Sequence, residues 1–150
     1  MRQQIFGVHT LLSGKTALSS VDFRQIAPKA KKNDLVYMDP PYQGTSFTRD
    51  HRYYNGVVYD EFVDALITLN EKDISYIVSY DGKTGEKSHG KALPKKLALK
   101  HLHVQAGRSS QATLLGKKEL TVESLYLSPA LVERLSTAKP QPVQQELVFA

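Results

Sequence analysis

Asp39-Pro40-Pro41-Tyr42 brings together a carboxylate, a conformationally fixed carbonyl and an aromatic ring. Those groups suit one kind of chemistry. An exocyclic base amine is a poor nucleophile because its lone pair is delocalised into the ring. Two acceptors aimed at its hydrogens favour the pyramidal form and turn the lone pair toward an incoming electrophile. Asp39 can accept one hydrogen through its carboxylate and Pro40 the other through its carbonyl. Proline fixes φ and removes an amide donor, so the loop has no competing backbone bond to relax into. Tyr42 can stack on an extracted base, the common way to hold a flipped nucleotide. Such a site works by positioning and preorganised polarity. It needs no metal ion and no general base acting before the new bond forms. The combination implies methyl transfer to an amino group of a nucleobase. Asp-Pro-Pro is also an ordinary turn, so the bland alternative is a Pro-terminated strand with a capping Asp.

The elements around the tetrapeptide favour the chemical reading. Leu35 to Met38 is an apolar run with a strand's look, so the four residues follow a buried strand. Thr16 to Val21 reads as another strand, ended by Asp22-Phe23. Tyr59 to Asn70 carries Phe62, Val63, Leu66, Ile67 and Leu69 at helical spacing. Ile74 to Tyr80 is a strand that Asp81-Gly82 ends with turn chemistry. Gln43 to Val58 reads as a long loop, and Gly82 to Lys91 as a mobile Gly- and Lys-rich one. Leu97 to Gln105 is a strand region. Gln111 to Leu115 and Leu120 to Leu127 are expected to pair as a hairpin. Ala130 to Leu135 reads as a short helix, and Thr137 to Ala150 as a tail. The pattern predicts an α/β sheet with one antiparallel addition. Ligands of such sheets sit beyond the carboxyl ends of the strands, which gathers Asp22-Phe23, Asp39 to Tyr42 and Tyr80-Asp81 on one rim.

Composition sets limits. With 150 residues the chain can build one domain with a real core. That is short for an enzyme holding a cofactor, a base and a nucleic-acid strand by itself. There is no cysteine, which excludes disulfides and thiolate metal sites. No apolar stretch is long enough for a membrane span, and the first residues lack a signal core, so a cytoplasmic, nucleoid-associated protein is expected. The formal charge is +5. Between Lys83 and Lys118 nine Lys or Arg face one acid, Glu86, a one-signed stretch suited to a polyanion such as double-stranded DNA. His101 and His103 alternate along a strand, but two ligands do not make a metal site.

Taken in order, these segments resemble the C-terminal, catalytic-motif half of a Dam-type, alpha-group adenine-specific DNA methyltransferase, of the bacterial or phage kind, over about residues 8 to 128. Leu18 to Phe23 is similar to the segment whose Asp-Phe contacts the adenine of S-adenosyl-L-methionine. Asp39-Pro40-Pro41-Tyr42 matches the catalytic tetrapeptide, and Gln43 to Phe47 the loop after it. Ser79-Tyr80-Asp81-Gly82, Gly107 to Thr113 and Glu123 to Leu127 resemble the closing strands. The resemblance implies a Rossmann-like sheet with a terminal antiparallel hairpin over 1–128, then a helix and flexible tail over 129–150. It implies catalytic roles for Asp39, Pro40, Pro41 and Tyr42, and cofactor contacts at Asp22, Phe23 and Asp39. It implies DNA contacts at Phe47, Arg108, Ser109, Ser110, Lys117 and Lys118. Asp in the first catalytic position is the form typical of adenine enzymes.

Phe-x-Gly-x-Gly, which cradles the methionine end of the cofactor in that family, has no counterpart here, and no Gly-x-Gly occurs anywhere. The chain therefore resembles a part, expected to act beside a complementary N-terminal half, in a restriction-modification system or another role. Two other classes stay open: an RNA guanine amino-methyltransferase, and a DNA-binding remnant without catalysis. Separately, Gln144-Gln145-Glu146-Leu147-Val148-Phe149 fits Gln-x-x-Leu-x-Phe and resembles peptides that dock on sliding clamps through Leu147 and Phe149.

Overall fold

The computed structural model describes residues 2–40, 58–84, 87–108 and 120–138. Pro41, Tyr42, Phe47, Ser109, Ser110, Lys117, Lys118 and the Gln144–Phe149 peptide lie outside them, as does the expected strand Gln111 to Leu115.

The chain opens with helix α1 (Arg2–Leu12), which buries no residue. A short helix α2 (Phe23–Ile26) and a 3-10 turn (Ala27–Lys29) lead to β1 (Leu35–Met38). Helix α3 (Tyr59–Glu71) carries the chain to β2 (Ser75–Thr84), which β3 (Lys87–His89) follows. A second 3-10 turn (Lys95–Leu97) precedes β4 (Lys100–Arg108), β5 (Leu120–Leu127) and helix α4 (Pro129–Thr137). The sheet order is β1-β2-β5-β4, with β3 also paired to β2. β1 and β2 run parallel, and the other pairings are antiparallel. The fold is mixed α/β.

The core lies between β2 and α3. Phe62, Val63, Leu66 and Leu69 recur at helical spacing and are all buried. They pack with Tyr76, Val78 and Tyr80, every second residue of β2, in one cluster with Leu93 and Leu97. Burial of each such side chain stabilises by roughly 1.5–3 kcal/mol relative to exposure. Asp60 and Glu61 sit in the first turn of α3, where the helix dipole favours negative charge. On the opposite face α4 is tied to β2. The Ser128 hydroxyl accepts from Leu131 N–H as the helix cap and from Tyr76 N–H of the strand, while Arg134 donates to the Ser75 hydroxyl.

Four expectations are corrected. Thr16 to Val21 forms no strand; Asp22 caps α2 by accepting from Arg24 N–H. Its apolar residues meet no sheet, and Leu18 stays 92% exposed. β2 does not stop at Asp81-Gly82. One extra residue between Ser79 and Gly82 makes a bulge, with Asp81 at φ 56°, and pairing with β5 resumes beyond it. Lys87–His89 is no loose loop but a strand folded back on Gly82–Thr84. β5 lies between β2 and β4, so its hairpin-like partner is Lys100–Arg108. Leu35–Met38, the helix from Tyr59, the strand through Tyr80 and the C-terminal helix form where the apolar patterns place them.

Candidate active site

β2 has two edges, and their occupancy creates the site. β5 lies along one edge. The other is shared: β1 pairs with Ser75 to Val78, and β3 pairs with Gly82 to Thr84. Between them, opposite Ser79, Tyr80 and Asp81, is a notch. Met38 is level with Val78, so Asp39 and Pro40 leave the sheet at that notch. Asp39 is exposed there and Pro40 half-buried. The parallel pairing of β1 and β2 puts Asp39 and Tyr80-Asp81 at the same, carboxyl-end rim. Arg108 closes β4 opposite Leu120, one step beyond Gly107 and Thr121. Thr121 also partners Thr84, so the backbone of Arg108 ends at the far carboxyl end of β2, beyond the notch.

The bulge is held in place by a polar lock that sequence reasoning missed. Asp81 is buried in the left-handed region, and its Oδ2 accepts a 2.6 Å hydrogen bond from the Tyr126 hydroxyl. Burial first, and the Asp81 carboxylate second, push the Tyr126 hydroxyl far up, while Leu93 N–H bonded to it acts the other way. Gly90, at φ 81°, lies against Asp81; a Cβ there would stand 3.1 Å from the Asp81 Cβ. His101 stacks on Tyr126 at 4.2 Å and meets His103 at 4.3 Å. Burial, then His103, lowers the basicity of His101, with Asp81 opposing. Among the described residues no three His, Asp or Glu side chains converge in a metal-ligating group. The sequence signal for this lock was Tyr80-Asp81-Gly82 itself, whose turn-like character marks a bulge when pairing continues on both sides.

An aromatic row connects the notch to the segment before β1. Phe23 meets Phe62 edge-on at 6.0 Å, and Phe62 meets Tyr80 at 5.6 Å. Burial pushes the Tyr80 hydroxyl up to about 12. Beside β1, a groove of about 610 Å³ is lined by Val21, Phe23, Ile26 and the length of β1 to Met38. Phe23 therefore stands where a planar ring could lie, near the strand that delivers Asp39. Asp22 is placed differently. Both its oxygens are engaged by Arg24, through Nε and N–H on one and Nη2 on the other, and Arg24 also pairs with Glu61 at 2.7 Å. The Arg24 side chain, and then its backbone N–H, holds the Asp22 carboxyl below the usual carboxylate range. Its observed role is to cap α2 and hold Arg24, which in turn bonds Glu61 of α3.

A mixed sheet with an acidic, Pro-terminated strand end beside an open apolar groove defines a class: an α/β protein with an open groove beside a parallel strand pair. The particular family follows from the sequence match. The model of the D12 class N6 adenine-specific DNA methyltransferase family matches residues 6–110, and the chain belongs to that family. It is an adenine-specific methyltransferase by family, with Asp39, the groove and all of β4 inside the matched region. No curated protein and no solved structure matches the chain significantly. No helix among the described residues is long and apolar enough to cross a membrane.

Proposed function

We propose that the chain is the catalytic-loop half of a site that methylates the exocyclic N6 amine of a flipped adenine in double-stranded DNA. The observation that carries this is the departure of Asp39-Pro40 from the sheet at the notch, beside the groove that Phe23 lines. When bound, S-adenosyl-L-methionine supplies the electrophilic methyl group. The groove suits its adenosine end, with Phe23 as an apolar wall; Asp22 would have to exchange Arg24 for the adenine amine. Among the described residues nothing forms a cradle for the charged methionine end. That part is assigned to a complementary N-terminal half.

Asp39 accepts one hydrogen of the target amine, Pro40 the other, and Tyr42 stacks on the base. Phe47, in the loop that follows, contacts the DNA. Arg108, Ser109, Ser110, Lys117 and Lys118 contact phosphates, giving affinity and register without sequence choice. The lock between Asp81 and Tyr126 keeps the neighbouring rim of β2 fixed while the base enters.

The test is a methylation assay. The chain is co-expressed with the N-terminal half of a D12-class enzyme and supplied with methyl-labelled S-adenosylmethionine and either duplex DNA or structured RNA. Label is expected on N6 of adenine in the DNA. Label on guanine in the RNA would put the alternative substrate in its place, and label on neither would leave a non-catalytic DNA binder.

The C-terminal peptide is a separate proposal, a tether to a sliding clamp. Leu147→Ala combined with Phe149→Ala is expected to abolish capture of the chain on immobilised clamp. Unchanged capture sinks this proposal and leaves the methyl-transfer reading untouched.

A further inference from the structure

We propose that the cavity beside the Asp81 bulge is a site for one tetrahedral oxyanion, a phosphate group, which binds together with a proton taken up by His101 or His103. The phosphate is that of a nucleic-acid backbone or a free one. The site rests on the following geometry; its assignment to DNA rests on the proposed function.

The cavity has a volume of about 300 Å³ and is lined by Asp81 to Lys83 of β2, by β4 and β5, and by Gly90 and Ala92. Water takes about 30 Å³ per molecule in the liquid, so a phosphate fits with part of its hydration shell. Register places the side chains. His101 is paired with Tyr126 and His103 with Ser124, and alternate residues of a strand share a face. Both imidazoles therefore stand on the face of the sheet that carries Tyr126. Lys83 enters from β2, level with Val122. His101, His103 and Lys83 are exposed, so a dissolved anion can reach them, and Ser124 is buried in the wall. Gly82 and Gly90 add no side chain to the lining.

Charge selects the ligand. Among the described residues, the ionisable groups that line the cavity are Asp81, Lys83, His101 and His103. Glu123 alternates to the other face of β5 from Val122 and Ser124, and Lys91 lies over the Tyr59 ring at 4.2 Å. One Asp81 oxygen is already taken by the Tyr126 hydroxyl. With both imidazoles neutral, Lys83 and Asp81 cancel. Each proton that an imidazole takes up adds a positive charge and an N–H donor. The permanent charge of Lys83 opposes a metal ion at the same place.

The two rings are 4.3 Å apart, so protonating them together is costly without an anion beside them. Burial, then His103, already lowers the basicity of His101, with Asp81 opposing. A bound oxyanion shifts that balance toward the protonated form. By linkage, an anion that raises the imidazole titration binds more tightly as pH falls through the window between the anion-bound and anion-free titrations. Below that window its affinity levels off.

The experiment uses the full chain with sulfate as the probe, because the charge of sulfate is constant where histidine titrates. The imidazole resonances of His101 and His103 are followed by NMR from about pH 5 to about pH 8, in sulfate and in chloride of equal ionic strength. Sulfate is expected to move the imidazole titration upward and to bind at least about tenfold more tightly at the acidic end. His101→Gln combined with His103→Gln is expected to abolish that pH dependence. His103→Arg, charged throughout, is expected to hold sulfate at the alkaline end as the unchanged chain does at the acidic end; circular dichroism confirms that both variants fold. A short DNA duplex that displaces sulfate and moves the same resonances identifies the backbone as the source of the phosphate. Sulfate binding that the duplex leaves in place identifies free phosphate instead. No movement of either titration, equal sulfate affinity at both ends, or a pH dependence kept by the double Gln variant would each overturn the site. Methyl transfer by the assembled pair is read separately. Transfer without a sulfate response defeats the site and keeps the functional reading, and a sulfate response without transfer does the reverse.

Discussion

Asp39→Ala is expected to lower methyl transfer by at least about a hundredfold in the assembled pair, the scale on which loss of one preorganised polar group acts, with DNA binding largely kept. Two features make the separation clean. Asp39 is exposed at the end of β1, outside the packed cluster, so its removal opens no cavity. In the proposed reading, phosphate attraction comes from the basic stretch between Lys83 and Lys118 and not from Asp39. Asp39→Asn keeps one acceptor oxygen and is expected to retain more activity than Asp39→Ala. The measurements are label incorporation under saturating cofactor and DNA affinity at fixed salt. Full activity in Asp39→Ala would refute the assigned role, and parallel loss of DNA binding would show that the residue supports the interface instead.

What was legible in the sequence depended on local pattern. Leu35–Met38, Tyr59–Glu71 and the β2 strand as far as Tyr80 were readable because each carries enough apolar residues at one period to bury a face by itself. Thr16 to Val21 was misread for an instructive reason. Leu18 and Val21 have the composition of a strand, but they are exposed here and meet no sheet partner. Asp81-Gly82 was misread because a left-handed Asp followed by Gly is the chemistry of a turn and equally of a bulge. Only the pairing of Gly82–Thr84 on both sides distinguishes them. Lys87–His89 has no strand signature; its state is set by partners several residues away.

The candidate site divides the same way. Asp39-Pro40 was readable as a candidate site from four consecutive residues. The notch that releases it from the sheet was not, because it depends on β1 and β3 sharing one edge of β2. The Asp81–Tyr126 lock joins residues 45 positions apart, beyond any local pattern. Asp22 was read from the resemblance as a cofactor contact; its bonds to Arg24 show a capping role directly.

Phe62→Ala is expected to cost about 3–5 kcal/mol of stability, the range for truncating a buried aromatic. Phe62 is 3% exposed and touches both ends of the row from Phe23 to Tyr80. Its ring does two jobs. It fills the space between α3 and the sheet, and it backs Phe23, which is partly buried and packs against the core. Removing it leaves a cavity under the proposed adenosine wall as well as a weaker core. Phe62→Leu keeps most of the volume and is expected to cost less than about 1.5 kcal/mol, while still losing the edge-to-face contact with Phe23, a kind worth about 0.5–1.5 kcal/mol beyond area. Urea unfolding of the chain measures both substitutions. The functional arm uses Phe62→Leu in the assembled pair, since that variant folds: cofactor KM should rise while kcat changes little, because the chemistry at Asp39 is untouched. A fall in kcat at constant KM would mean that the row braces the notch through Tyr80 instead of backing a cofactor wall at Phe23.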